Sequence, residues 1–110
     1  MSTNNPRWLD IVRHRLRGTG IPYLLVIQHH DIPVATRLVV PVTLPRQGDV
    51  DALTPRLTIH GTPYRARMLD IDAIPRSLLA GTVASATDDA DTIMSALDII
   101  LRGYPVGLPH

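Results

Sequence analysis

The segment from Tyr23 to Val42, YLLVIQHHDIPVATRLVVPV, holds two apolar runs separated by a polar bend. Its first run, Tyr23–Gln28, is apolar on both faces, as expected of a strand buried on two sides. His29–Ala35 is polar and carries Pro33, which ends the run. The second run, Thr36–Val42, is again strand-sized. Pro41 within it has no N–H for a ladder, so it belongs at an edge or a bulge. Working towards the N-terminus, Trp8–Arg13 is short and β-capable, and His14–Pro22, with Gly18, Gly20 and Pro22, reads as a loop. Towards the C-terminus, Leu44–Pro55 reads as a surface loop with a helical turn around Asp49–Leu53. Leu57–His60 and Tyr64–Leu69 form a hairpin through a Gly61-Thr62-Pro63 turn. In the second arm Tyr64, Ala66 and Met68 alternate with Arg65 and Arg67, the pattern of a half-exposed strand. Asp70–Ser85 has no clear period, and Pro75 and Gly81 interrupt it.

The last quarter changes period. In Thr87–Arg102, Ile93, Leu97 and Ile100 form one stripe, with Met94 and Leu101 beside it and Ala96 between. Asp88, Asp89 and Asp91 crowd the first turn, where the helix dipole favours negative charge. Arg102 lies in the last turn, and Gly103 follows as a C-cap. The expected architecture is mainly β with one C-terminal α-helix: a small antiparallel barrel or strongly bent sheet of about five strands, with the helix packed on it. One domain is expected over residues 1–110, divided into a barrel (8–86), the helix (87–102) and a tail (104–110).

Composition narrows the function. The 110 residues are 45% hydrophobic, and 11 basic against 10 acidic side chains leave a net charge of +1. That balance does not demand a polyanionic partner. All the basic residues are Arg and all the acidic ones Asp, and Lys, Glu, Phe and Cys are absent. Without Cys there are no disulfides, thiolate metal sites or thiol nucleophiles, which fits a reducing cytoplasm. Met1–Arg7 is polar and no long apolar run follows, so neither a signal peptide nor a membrane span is expected.

Residue chemistry gives little that is catalytic. His29-His30 is the only histidine cluster, and neighbours on a strand point to opposite faces, so a metal ligand set is not expected. Ser77 and Ser85 lie in no nucleophile context, and no Gly-rich phosphate loop is present. Arg13, Arg15 and Arg17, and the pair Arg65 and Arg67, are candidates for gripping phosphates. Solvated faces also need charge, and Arg is the only cation available. On these grounds the expectation is a protein that is not an enzyme, without cofactor or metal.

A set of short motifs occurs in a fixed order along the chain. Leu9-Asp10-Ile11 leads into a basic, glycine-bearing loop; Leu25-Val26-Ile27-Gln28 precedes Asp31 and Ile32; Arg37-Leu38-Val39-Val40-Pro41 follows. Then come Leu53-Thr54-Pro55, Ile59-His60-Gly61, Tyr64-Arg65, Asp70, Ile74-Pro75, Val83-Ala84, and the helix Ile93–Leu101 with Ala96-Leu97-Asp98. In this order, from about Leu9 to Gly103, the chain resembles the CcdB family of toxins from type II toxin–antitoxin systems.

The resemblance implies an SH3-like antiparallel barrel with a C-terminal helix, the fold shared with mRNA-interferase toxins, and a two-fold homodimer. It implies a toxin that binds the A subunit of DNA gyrase, a topoisomerase, and traps the cleaved-DNA complex without reading nucleic acid itself. A cognate CcdA-like antitoxin would relieve it; which residues would bind that antitoxin is not implied. The target-binding residues carried over are Ile32, Asp98, Arg102, Gly103 and Tyr104. Here the chain departs from the family pattern, which ends in Trp, Gly and Ile. Arg102 stands at the Trp position, Tyr104 at the terminal Ile, and residues 105–110 run on. The alternatives are an endoribonuclease on the same barrel, using Arg65, Arg67 or the Arg13–Arg17 loop with His60 as base, or a decayed, non-toxic homologue.

Overall fold

Strand Tyr23–Val26 (β2) lies inside the sheet and is buried on both faces because two separate apolar clusters meet it. In this computed structural model, residues 5–15 and 20–104 are described. Leu25, followed by Ile27 just past the strand, joins Leu9, Ile11, Val40, Val42 and the helix residues Ile93 and Ala96. Leu24 and Val26 point the other way, to Val12, Val39 and Leu79. An unbroken apolar run satisfies both sides, which is why YLLV shows no alternation.

The strands around it are Asp10–His14 (β1), Thr36–Thr43 (β3), Arg56–Ile59 (β4), Thr62–Ala66 (β5), Asp72–Pro75 (β6) and Leu79–Ser85 (β7). They form one antiparallel sheet in the order β4-β5-β3-β2-β1-β7, with β6 paired to β3. The sheet curls into a half-barrel, and the helix Ala90–Arg102 (α1) closes one side of it. Among the described residues there are seven strands rather than about five. The two extra ones come from Asp70–Ser85, where Pro75 ends β6 and the chain re-enters the sheet as β7.

Pro41 occupies neither an edge nor a bulge. β3 is an interior strand, and its partner on one side changes along its length. β6 pairs with Thr36–Val39, β5 with Val42 and Thr43, and Pro41 falls in the gap between the two ladders. Its missing N–H therefore costs no ladder bond, while its carbonyl accepts the Arg67 N–H at 2.8 Å. The β4–β5 turn is one residue earlier than expected. Ile59 pairs with Thr62, so His60 and Gly61 form a two-residue loop, with φ of 50° and 82°. Two left-handed residues match the twist of the flanking strands, and Gly61 meets that demand without a Cβ.

The helix is entered through a 3₁₀ turn, Thr87–Asp89, and begins at Ala90. Ile93 and Ala96 are buried, and Leu97 and Ile100 pack against the core. Leu101 does not belong to that stripe; it is 70% exposed. Gly103 ends the helix with φ 80° and donates its N–H to the Ile99 carbonyl. The loop at Leu44–Pro55 contains a turn in which the Leu53 and Thr54 N–H groups share the Val50 carbonyl.

Candidate functional site

Three groups of side chains carry the chemistry that the sequence brought forward. The first is the helix end. Asp98 and Arg102 are one helical turn apart and form a two-bond pair, Nε to Oδ1 at 2.7 Å and Nη2 to Oδ2 at 3.2 Å. Both are largely exposed, and the pair holds the Asp98 carboxyl below its ordinary range and pushes the Arg102 guanidinium up. Gly103 is exposed and Tyr104 half-buried. Ile32, expected to act with them, lies far along the chain in the loop between β2 and β3 and lines a different feature, described below. Residues 105–110 of the expected tail, and Arg17 and Gly18 of the basic loop, lie outside the described residues.

The second group is Arg65 and Arg67, and here the expected half-exposed face is corrected. Their side chains are only 11% and 9% exposed. The strand ends at Ala66, and the Leu44–Pro55 loop folds across the arginines, bringing Asp49 and Asp51 with it. Arg65 donates to Asp51 at 2.7 Å and to the Thr54 carbonyl at 2.9 Å. Arg67 donates through Nε to Thr43 Oγ1 at 2.8 Å, through Nη2 to the Leu44 carbonyl at 3.1 Å, and through both η nitrogens to Asp49. These guanidiniums pull the Asp49 and Asp51 carboxyls below their ordinary range. Their charge is spent on holding a loop, and they are not free to bind phosphate. His60, the candidate base of the endoribonuclease alternative, sits exposed at the β4–β5 turn.

The third group is the bend after β2. His29 and His30 do not alternate across a strand, because the chain leaves β2 at Val26 and turns. Their rings stack with centroids 4.1 Å apart, and ligand atoms of His29, His30 and Asp31 lie within 4.8 Å of one another. Both Nδ1 atoms are already engaged: His29 accepts the Asp31 N–H and His30 the Trp8 N–H, each at 3.1 Å. The second contact depends on a sharp turn at Leu9, which is buried with φ 63°. A bulky residue in that region is strained, and it is held by Leu9 N–H to Val26 and Ala86 N–H to the Leu9 carbonyl. Because His30 Nδ1 accepts the Trp8 hydrogen bond, the neutral ring carries its own proton on Nε2.

Beside this bend lies a cavity of about 400 Å³, lined by Asn5, His30, Ile32, Arg37 and Arg76 among others. Arg37 is 1% exposed, and its Nη1 donates to the Val34 and Thr36 carbonyls and its Nη2 to Asn5 Oδ1, each at 2.9 Å. Arg76 is half-buried, its N–H bound to the Ala35 carbonyl at 2.8 Å. No carboxylate lines the cavity among the described residues. Of these residues the sequence brought forward only Ile32, as a target-binding residue, and it did not single out Asn5, Arg37 or Arg76 as part of a site. They come from a turn, an interior strand and a 3₁₀ segment some 40 positions later, so no fixed spacing links them.

Comparison with known proteins bears on fold and family. No curated protein matches the chain. Among solved structures, an endoribonuclease from a mycobacterial species has a TM-score of 0.68 at 17% identity, covering 100% of this chain and 99% of that one. A second, an endoribonuclease in complex with its cognate antitoxin, also from a mycobacterial species, has a TM-score of 0.68 at 18% identity, covering 96% and 98%. At such identity the likeness concerns the fold. It nevertheless overturns the expectation of a protein that is not an enzyme: proteins matching this architecture end to end are named as endoribonucleases. The family described as CcdB protein matches residues 10–103, so with its curled antiparallel sheet and single C-terminal helix the chain belongs to the CcdB family.

Proposed function

We propose that this protein is the toxin of a toxin–antitoxin pair and that it cuts RNA, at the cavity lined by His30, Arg37 and Arg76. The carrying observation is that cavity: an imidazole and two guanidiniums meet there with no carboxylate among the described lining residues. Attack of the RNA 2′-oxygen on phosphorus, its proton passing to solvent, breaks the bond to the 5′-oxygen, which takes a proton from solvent, and leaves a 2′,3′-cyclic phosphate. Negative charge builds on the nonbridging oxygens, and fixed cations and N–H donors lower that barrier. His30 offers its Nε2–H, fixed by the Trp8 contact, and Arg37 and Arg76 supply the charge. The fold it shares with two endoribonucleases, one solved with its antitoxin, supports the reading. An antitoxin is accordingly its partner.

The test is cleavage of single-stranded RNA by purified protein, followed on gels. His30→Ala and Arg76→Ala are expected to slow it on the order of 10²-fold each while the fold is retained. Unchanged rates in both variants would remove the cavity from the mechanism.

Inhibition of DNA gyrase is the second reading, and family membership favours it. The geometry argues that it is weak, because Arg102 is already paired with Asp98 and offers no aromatic anchor. A gyrase-dependent DNA cleavage assay run beside the RNA assay separates the two. Strong poisoning by the unaltered protein, with intact RNA, would reverse their order.

A two-fold homodimer is proposed as the working form. Leu69 and Leu101 are 67% and 70% exposed. They sit on two elements that touch, the 3₁₀ segment Met68–Asp70 and α1, and each leaves a large apolar side chain uncovered. Light scattering at micromolar concentration is expected to give twice the chain mass. A single-chain mass would exclude the dimer.

A further inference from the structure

We propose that the cavity beside the His29–His30 bend is a built receptor for one phosphate group, with Arg37 as its permanent positive charge. The inference rests on the RNA reading for the source of the phosphate, a nucleotide backbone, but not for its existence. The argument begins with what the chain does elsewhere. The other two arginines with buried side chains, Arg65 and Arg67, are each matched by an aspartate. Arg37 is more deeply buried than either and has no carboxylate partner among the described residues. Removing a cation from water is costly, and neutral carbonyls recover only part of that cost.

Its hydrogen bonds tell the same story. Two carbonyls and Asn5 take three of the five guanidinium donors, and Nε has no partner among the described residues. The guanidinium is thus fixed rigidly while its charge stays unanswered. Arg76, which lines the same cavity, makes no ion pair among the described residues, and His30 presents an imidazole. Asp31, next to His30, is 82% exposed, with Oδ1 3.9 Å from His30 Nε2, and it makes no ion pair with Arg37. An anion of high charge density, able to accept from several donors at once, is what this arrangement lacks. A phosphate meets that description.

The receptor can be tested without any RNA. Inorganic phosphate is titrated into the protein at pH 7, with sodium chloride at matched ionic strength as the reference, and thermal unfolding is followed. At ten times the dissociation constant, phosphate is expected to raise the melting temperature by roughly 5 °C, and chloride is not. Arg76→Ala is expected to weaken binding by about tenfold while leaving the phosphate-free melting temperature nearly unchanged. Arg37→Met tests the buried charge, and since it can also alter folding, Asn5→Ala gives a milder perturbation of the same guanidinium. A second arm replaces phosphate with a short 2′-O-methyl RNA that cannot be cut. Competition between this RNA and phosphate would assign the site to the nucleotide backbone. Binding of phosphate without competition would keep the receptor and detach it from RNA. Equal responses to phosphate and chloride, or phosphate binding indifferent to Arg76→Ala and Asn5→Ala, would overturn the proposal even if RNA is cleaved.

Discussion

Arg67→Met is expected to lower the melting temperature by on the order of 10 °C at pH 7. The substitution keeps most of the side chain's bulk and removes every polar contact it makes. Thr43 Oγ1, the Leu44 carbonyl and the Asp49 carboxylate would each lose the donor that Arg67 supplies, leaving the Leu44 carbonyl with the Thr43 hydroxyl and Asp49 with the Arg46 N–H. The Leu44–Pro55 loop is tethered to β5 through this guanidinium and through Arg65, so its release should also show as faster proteolysis near Asp49. The same pair sets an acid response. Asp49 has its carboxyl pulled below the ordinary value of 3.8 by hydrogen bonding from Arg67 and from the Arg46 backbone. A lowered folded-state value means that the unfolded chain binds the proton more readily. The stabilisation is therefore complete above about pH 4 and lost as the pH falls through the lower, folded value. Thermal melts from pH 7 to pH 2.5 should show a steeper acid decline in the unaltered protein than in Asp49→Asn. A melting temperature for Arg67→Met within about 2 °C of the parent would contradict the assigned role.

Ile93→Ala is expected to cost about 2–4 kcal/mol in denaturant unfolding, because it opens a cavity where the helix meets the sheet. Ile93 is wholly buried and shares a cluster with Leu9, Ile11, Leu25, Val40 and Val42. It lies on the one helix of the described residues, so the helix is anchored there and at Ala96. Leu101→Ala is the matched control. That side chain is 70% exposed, and its loss should change stability by less than about 0.5 kcal/mol. Similar losses in the two variants would mean that the helix docks through a different face.

The sequence by itself determined the secondary-structure class, the strands around Tyr23–Val42 and the C-terminal helix, because hydrophobic period is a local property. YLLVIQ reads as two-sided burial wherever it is placed, and the three-four spacing from Ile93 to Ile100 demands a helix. The ordered motifs likewise carried the family. Only the tertiary structure decided the rest, since it depends on which distant segments meet. Arg65 and Arg67 alternate as a solvated face should, yet a loop some 15 residues upstream covers them with Asp49 and Asp51. Pro41 reads as an edge residue, yet an interior strand tolerates it where one ladder stops and another starts. The bend at His29 and His30 is legible in the sequence, but the stacking of their rings is not. The polar cavity is the clearest case. Arg37 looks like one more arginine at the start of a strand, and its lack of a carboxylate partner among the described residues appears only when burial and partners are both known. A local pattern records what a residue's neighbours in sequence require. Charge compensation is settled by neighbours in space.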